Sequence, residues 1–393
     1  MPYRVILKKH EEKRILDGHP WVYANETASV EAVGESRNGD PADVYSHDGR
    51  FLGRGYINHL SKILVRLFIH DRDTVPDAGF WRDRIAASDA YRRRLGCGES
   101  YRAVFAEADD LPGLIVDKYG DLLSVQFLTL GVELHRADII AALVSFYAPR
   151  GIYERSDAEV RKKEGLELRT GPLYGEFEPQ TVIEENGIKL IADLENGQKT
   201  GYFLDQRENR LAMRRYCAGG DVLDCFCNAG GFALNAAAAG AKSVIAADIS
   251  AKALADVDRA AKLNGVDGIV RTECCDVFGY LRECRKEGRS FDTIILDPPA
   301  FCKSASEAPS AIRGYRDINI QGLRLVRSGG FLISSSCTHF VTAPMFEKML
   351  KEAAAASGRR VRVAEIRTQA PDHPAYLGAD ETTYLKFYVL HVI

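Results

Sequence analysis

The sequence has no surplus of positive charge: 52 lysines and arginines stand against 55 aspartates and glutamates, for a net charge of −3. That excludes a chain that holds nucleic acid through a diffuse basic field and confines any such contact to local patches. Long apolar runs are missing too. The stretch Met1–Lys9 has too few consecutive apolar residues for a signal peptide and no small-residue cleavage site. The most apolar stretch, Phe232 to Ala247, is broken by Asn235, Gly240 and Lys242 and is too short to span a bilayer. No membrane partner is expected. The nine cysteines are odd in number and contain no C-x-x-C pair, which argues against a disulfide framework or a structural zinc site. No metal is expected, and the expected compartment is a reducing cytoplasm. Internal repeats and low-complexity segments are absent.

What is present, 46% hydrophobic residues over 393 positions, suffices for more than one core. At about 100–200 residues per domain, two or three domains are expected. Residues 1–72 read as short strands between turns. Ala42 to Ser46 and Arg50 to Ile57 flank the turn His47-Asp48-Gly49, a hairpin signal, and Lys62 to Phe68 reads as a further strand. A small β-barrel is expected there. Within 73–96, the spacing of Phe80, Trp81, Ile85, Ala86, Tyr91 and Leu95 predicts a linking helix. Residues 97–196 read as a middle α+β domain, with strands at Tyr101 to Phe105, Leu114 to Asp117 and Leu122 to Phe127 and a helix from Ala137 to Tyr147.

From 197 to 393 strand and helix alternate regularly. Strand cores fall at Val222-Leu223, Val244 to Ala247, Thr293 to Leu296 and Phe331 to Ile333, with helices at Ala251 to Leu263 and Ile318 to Val326. Apolar strands without alternation are buried on both faces, so the fold class is α/β with a doubly wound, mostly parallel sheet. Tyr384 to Leu390 predicts a closing antiparallel strand. The first strand of this region runs through Asp224-Cys225-Phe226-Cys227-Asn228-Ala229 into Gly230-Gly231 and a helix. The next strand ends at Asp248, 18 positions beyond Gly230 (248 − 230), where a carboxylate can accept both ribose hydroxyls. The phosphate-cradling G-x-G-x-x-G is missing, so a nucleoside ligand such as S-adenosylmethionine fits better than a dinucleotide. Asp276, Asp297-Pro298-Pro299 and Ser334 to His339 follow the later strands. Polar residues at successive strand ends are the mark of a site at a topological switch point.

These residues resemble a known family. Asp221 to Gly231 resembles motif I of class I methyltransferases, Asp297-Pro298-Pro299 motif IV, and Ser335-Ser336-Cys337 the cysteine-bearing motif VI of RNA cytosine-5 methyltransferases. Upstream, Gly18 to Val22, Glu107 to Leu114, Arg155 to Asp157, Val160 to Gly165 and Lys199 to Arg207 are similar to segments of bacterial 23S ribosomal RNA 5-methylcytosine methyltransferases. The resemblance implies an N-terminal PUA domain for RNA, a middle α+β domain and a Rossmann-like class I methyltransferase domain with a seven-stranded sheet. It implies that S-adenosylmethionine is held by Asp224, Phe226, Asn228 and Gly230, by Asp248 with Ile249, by Asp276 with Val277, by Asp297, and by Phe203, Asp205, Gln206 and Arg207. The partner implied is large-subunit ribosomal RNA, and a homodimer is compatible with it. Two departures stand out: Ala300 replaces a lysine common after Asp-Pro-Pro, and Ser335-Ser336-Cys337-Thr338 replaces Phe-Ser-Cys-Ser.

Carbon 5 of cytosine is a poor nucleophile. A thiolate that adds at carbon 6 makes an enamine whose carbon 5 can take an electrophilic methyl. Cys337 is the candidate nucleophile and Asp297 the group that holds or protonates N3. Pro298 and Pro299 stiffen that loop, and Phe301 is a candidate platform for a base flipped out of its stack. Cys225 and Cys227 are expected to pack, as are Cys97, Cys217, Cys274, Cys275 and Cys284. Cys302, three positions after Pro299, is not given the product-release role of a motif IV cysteine. His339 is a candidate for the base at carbon 5, its other reading being a surface or structural histidine. Phosphate contacts are expected from Arg161, Lys162 and Lys163, from Arg4, Lys8, Lys9, Lys13 and Arg14, and from Lys303, Arg313 and Arg316. Other readings are an RNA nitrogen methyltransferase, which needs no cysteine, a non-catalytic RNA-binding assembly factor, and a nicotinamide oxidoreductase, which the missing glycines disfavour.

Overall fold

The computed structural model describes residues 2–74, 76–302 and 304–393; Lys303 lies outside the described residues. The chain forms two compact units. The first comprises Met1–Thr181, Asp193–Leu204 and Pro371–Thr382, the second Val182–Ala192, Asp205–Ala370 and Thr383–Ile393.

The first unit begins with a six-stranded sheet. Its spatial order is Trp21–Tyr23, Ile63–Ile69, Phe51–Ile57, Pro41–Tyr45, Tyr3–Leu7 and Thr27–Ala32. The Asp48-Gly49 turn does close an antiparallel hairpin, with Gly49 at φ +88°. A five-stranded sheet follows, ordered Arg169–Tyr174, Gly151–Ser156, Leu122–Phe127, Leu114–Tyr119 and Ser100–Phe105. Three stretches that look separate in sequence share one core here. Tyr56, Phe68 and Ile69 of the first sheet and Phe80, Trp81 and Ile85 of helix Ala78–Arg94 are buried with Val104, Leu114, Val125 and Ile139. The Tyr56 ring stacks 4.8 Å from that of Phe68, and it lies so close to Gly131 that a Cβ there would sit 2.4 Å from a ring carbon. Burial of about ten such side chains, at 1.5–3 kcal/mol each, ties the two sheets into one unit.

The structure corrects one basic residue. Arg161 is 1% exposed; its guanidinium donates to the carbonyls of Phe127 and Glu167 and pairs with Glu133 at 2.8 Å. A charge so enclosed is part of the interior and not a phosphate contact. Lys162 and Lys163 remain on the surface, as do Lys8, Lys9 and Lys13, whereas Arg14 is engaged by Glu26 at 2.7 Å. In the second unit Arg313 and Arg316 are exposed.

The second unit is built on a seven-stranded sheet, whose strands are numbered β1 (Asp221–Cys225), β2 (Ser243–Asp248), β3 (Val270–Cys274), β4 (Phe291–Leu296), β5 (Val326–Ser336), β6 (Val361–Arg367) and β7 (Lys386–Val392). Their spatial order is β3-β2-β1-β4-β5-β7-β6, with β7 antiparallel to both β5 and β6 and the other pairings parallel. Helices α1 (Gly231–Ala238), α2 (Ala251–Leu263), α3 (Val277–Lys286), α4 (Ala308–Leu325) and α5 (Ala343–Ser357) connect the strands. The apolar strand cores do lie inside: Leu223, Cys225, Ile294, Leu296 and Leu332 are buried in one cluster. Helix α2 starts where the Ser250 side chain accepts from the Ala253 amide and buries Leu254, Val257, Ala260 and Ala261 at helical spacing. Val326, expected in a helix, instead opens β5 in extended conformation, because it pairs with Phe291. Strand β6 has no apolar run to announce it; it is the exposed edge of the sheet, and Arg362, Val363 and Ala364 face outward. Among the described residues no helix is long and apolar enough to cross a membrane.

Ahead of β1, helix Arg207–Met213 is tied down by a charge pair enclosed on both sides. Arg210 and Glu185 are each 2% exposed and meet through two contacts of 2.6 Å. Removing one partner leaves the other charge buried without this counter-charge. Glu185→Ala is therefore expected to cost about 3–5 kcal/mol, read from the denaturation midpoint, and the double variant with Arg210→Met is expected to recover much of that loss.

Candidate active site

The register of the parallel strands brings the functional side chains to one edge. Cys225 of β1 pairs with Ala247 of β2 and with Leu296 of β4, and Leu296 pairs with Ser334 of β5. The residues just beyond this level are Phe226, Asp248, Asp297 and Ser335. Asp224, Asn228, Gly230, Asp248, Asp276, Asp297 and Cys337 thus come from the carboxyl ends of five strands, where an open α/β sheet binds ligands.

The turn after β1 is held in a conformation that side chains rarely take. Phe226 and Asn228 have φ of +61° and +48°, and Gly230 is at +78°. Non-glycine residues at positive φ cost of order 1–3 kcal/mol and persist where the surroundings impose them. Here the Asn228 amide donates to Asp248 Oδ2 at 2.9 Å, and the Cys227 amide to the Ala247 carbonyl at 3.1 Å. Gly230 is required twice over, because a Cβ there would also come within 2.9 Å of Val257. Asp224 is fully buried. Its Oδ2 accepts from the Ala233 amide at 2.9 Å, while Oδ1 has no hydrogen-bond partner among the described residues. Burial, and next the charge of Asp297, push its carboxyl well above the usual range. Asp276 caps α3 by accepting from the Gly279 amide at 3.0 Å, and Ile249 is 75% exposed.

Asp297 and the motif VI segment are joined by a side chain from outside both. Gln206 donates through Nε2 to Asp297 Oδ1 at 3.0 Å and to Ser335 Oγ at 2.9 Å, and its Oε1 accepts from Asn209 at 2.7 Å. Gln206 is 2% exposed, so its amide is engaged within the protein, where the resemblance implied a cofactor ligand. Asp205 likewise accepts from the Tyr384 hydroxyl at 2.6 Å. Val277, 2% exposed, packs in the core below α3, and Arg207 is buried beside Glu208. Phe203 belongs to the first unit, where the Lys199 ammonium lies 4.7 Å from its ring.

Cys337 follows β5 and is half-buried. Cys225 and Cys227 are buried, as expected for packing, and burial raises both thiols. Cys274 and Cys275 are not: Cys274 is exposed and Cys275 intermediate, because β3 is the opposite edge strand. Phe301 packs into an aromatic cluster, its ring 4.6 Å from Tyr315 and 5.9 Å from Phe278. It is partly buried, and the cluster fixes its orientation. Pro298 is buried and Pro299 exposed, and the exposed His339 lies 5.3 Å from the Tyr384 ring.

Near Cys337 stand Cys302, denied a role in the sequence reading, and Lys386, which that reading passed over. Cys302 is 3% exposed, and its Sγ lies 3.2 Å from Thr338 Oγ1. Lys386, on β7, is 7% exposed and donates to the carbonyls of Thr338 and Tyr384 at 2.5 and 2.7 Å. Its signal was in view: a lysine interrupting the apolar stretch Tyr384 to Leu390.

Fold and strand-end site together define the class of S-adenosylmethionine-dependent methyltransferases. The sequence pattern of that family matches residues 168–387, and that of a PUA-like domain matches residues 5–69. Ribosomal RNA large subunit methyltransferase I of Klebsiella pneumoniae (strain 342) is 40% identical, over 99% of this chain and 98% of that protein. The protein of the same name from Escherichia coli (strain UTI89 / UPEC) is 39% identical, over 100% of each. The chain belongs to this ribosomal RNA large subunit methyltransferase I family. A solved S-adenosylmethionine-dependent methyltransferase from Streptococcus mutans shares the fold at a TM-score of 0.83, with 23% identity over 99% of this chain and 100% of that one. The tRNA m1G37 methyltransferase of M. jannaschii does so at 0.51, with 17% identity over 84% and 83%.

The cofactor is S-adenosylmethionine, and the site fits it. The buried, unpartnered Asp224 Oδ1 suits a cationic ligand, the Asp248 carboxylate suits ribose hydroxyls, and exposed Ile249 offers an apolar face for a purine. A carboxyl raised in the folded state binds more protons there than in the unfolded chain, so its stability contribution falls as pH rises above about 4. Asp224→Asn removes that penalty. The variant is expected to melt higher than the wild type without cofactor at pH 8, with a smaller difference at pH 5, and to bind S-adenosylmethionine about tenfold more weakly; thermal scans and calorimetry check both.

Proposed function

We propose that this protein methylates carbon 5 of a cytosine in large-subunit ribosomal RNA, acting in the cytoplasm through a covalent adduct on Cys337. When bound, S-adenosylmethionine supplies an electrophilic methyl group. Cys337 adds as thiolate to carbon 6 of the base, and the electron pair passes through the ring toward N3, where Asp297 holds or delivers the proton; once carbon 5 carries the methyl group, loss of its own proton to a base expels the thiolate and frees Cys337. Pro298 and Pro299 stiffen the loop that presents Asp297. Residues 1–72 serve as the RNA-binding domain, 73–96 as a link, 97–196 as a middle domain and 197–393 as the methyltransferase domain. Lys162 and Lys163 contribute phosphate contacts, and Arg207 and Asp276 contribute to the cofactor site.

One observation carries the reading. Gln206 bonds both Asp297 and Ser335, so the acid and the cysteine-bearing segment form one hydrogen-bonded unit at adjacent strand ends. A nitrogen methyltransferase needs the acid but has no use for the thiol. The test is mass spectrometry of ribosomal RNA fragments from cells with and without the gene. Loss of one 5-methylcytosine supports the proposal; loss of a methyl from a ring or exocyclic nitrogen overturns it.

A further inference from the structure

We propose that Lys386 is the counter-cation that holds Cys337 in its nucleophilic, thiolate form at neutral pH, acting as a positioning residue. The proposal rests on the reading of Cys337 given above and adds the group that activates it. Lys386 pairs in register with Ser336, and its Nζ donates to the carbonyl of Thr338. The ammonium therefore lies against the carbonyl of the residue that follows Cys337, on the strand paired with the residue that precedes it. Its other acceptor is the Tyr384 carbonyl. Among the described residues no carboxylate lies within ion-pair distance of Nζ, and two carbonyls leave one of its three donors to spare.

A buried ammonium without an anion is costly, so an anion is to be sought among its neighbours. The titratable side chains whose charge acts on Nζ are Cys337 and Cys302. Cys302 is enclosed at 3% exposure and bonded to Thr338, so it cannot meet a substrate. Tyr315, from α4, accepts from Ser336 at 3.1 Å and is kept neutral by burial, and Asp297 is bonded to Gln206. Of the two thiols Cys337 is the half-buried one, open to a substrate, and the proposal assigns the anion to it. Burial lowers Lys386 to about 8, close to an ordinary thiol. Transfer of the Sγ proton to neutral Nζ then converts two neutral groups into an ion pair, with no atom or charge gained, and the two carbonyls already solvate the cation.

The test reads the cysteine directly, without RNA or cofactor. Alkylation by iodoacetamide is followed peptide by peptide against pH in the wild type and in Lys386→Met. The wild-type Cys337 rate is expected to have its midpoint below the ordinary thiol value of about 8.5. At pH 7, Lys386→Met is expected to slow Cys337 about tenfold, one pK unit of thiolate. Exposed Cys274, on the far edge strand, serves as the internal control and is expected to keep its rate. Equal Cys337 rates in the two proteins overturn the proposal, and if the variant does not fold, a wild-type midpoint at or above the ordinary value does so alone. A shifted midpoint without any RNA adduct would sink the cytosine reading and leave this pair standing; an adduct with an unshifted midpoint would do the reverse.

Discussion

Cys337→Ala is expected to abolish methyl transfer, by at least about 10⁴-fold, while S-adenosylmethionine binds as tightly as to the wild type. The size of the effect follows from the reaction. Without addition at carbon 6 the cytosine ring has no enamine, and carbon 5 stays unreactive whatever else is in place. Binding is expected to survive because the residues proposed to hold the cofactor sit elsewhere: Asp224, Asn228, Gly230 and Asp248 belong to the ends of β1 and β2, and Cys337 follows β5. Folding survives because Cys337 is half-buried, so the substitution opens no closed cavity. Single-turnover transfer of a labelled methyl to RNA, beside calorimetry with the cofactor, checks both halves. Retained transfer would point to chemistry at a nitrogen, which Asp297 and its neighbours could support unaided.

Asp297→Asn is expected to lower kcat and kcat/KM together by about 10²–10³-fold, with little change in RNA affinity. The amide keeps an oxygen for the Gln206 bond, so the junction between Asp297 and Ser335 is retained. What disappears is the ionisable group at N3, and charge gathers there only as the thiolate adds. An interaction that strengthens only in the transition state costs rate when removed, not binding. Steady-state kinetics on one RNA substrate reads the split. A rise in KM with kcat unchanged would mean that Asp297 merely grips the base.

The α/β core was legible because its strands are short apolar runs, and a sheet buried on both faces needs nothing else. The strand-end site was legible for the same reason: once Val222-Leu223 and Thr293 to Leu296 are strands, Asp224 and Asp297 must lie at their ends. What sequence cannot show is which charges turn inward. Arg161 reads like Lys162 and Lys163 beside it, yet it alone is enclosed, because Glu133 and the Phe127 carbonyl arrive from a distant part of the chain. The Gln206 bridge was hidden too, since it depends on β4 and β5 being neighbours. Lys386 lies 50 positions from Ser336 (386 − 336), and only antiparallel pairing sets them side by side. Cys274 looked like core until β3 proved to be an edge. The first unit's shared core was hidden as well, because Tyr56 and Trp81 meet only through their packing.

The central claim is a covalent bond between Cys337 and the base, and RNA that carries 5-fluorocytosine tests it most directly. A fluorine at carbon 5 cannot leave as a proton does, so the adduct persists after methyl transfer. The expected result is a denaturation-resistant protein–RNA complex whose linked peptide contains Cys337, formed only with S-adenosylmethionine and absent from Cys337→Ala. Methylation of the fluorinated RNA without any such complex would contradict the account.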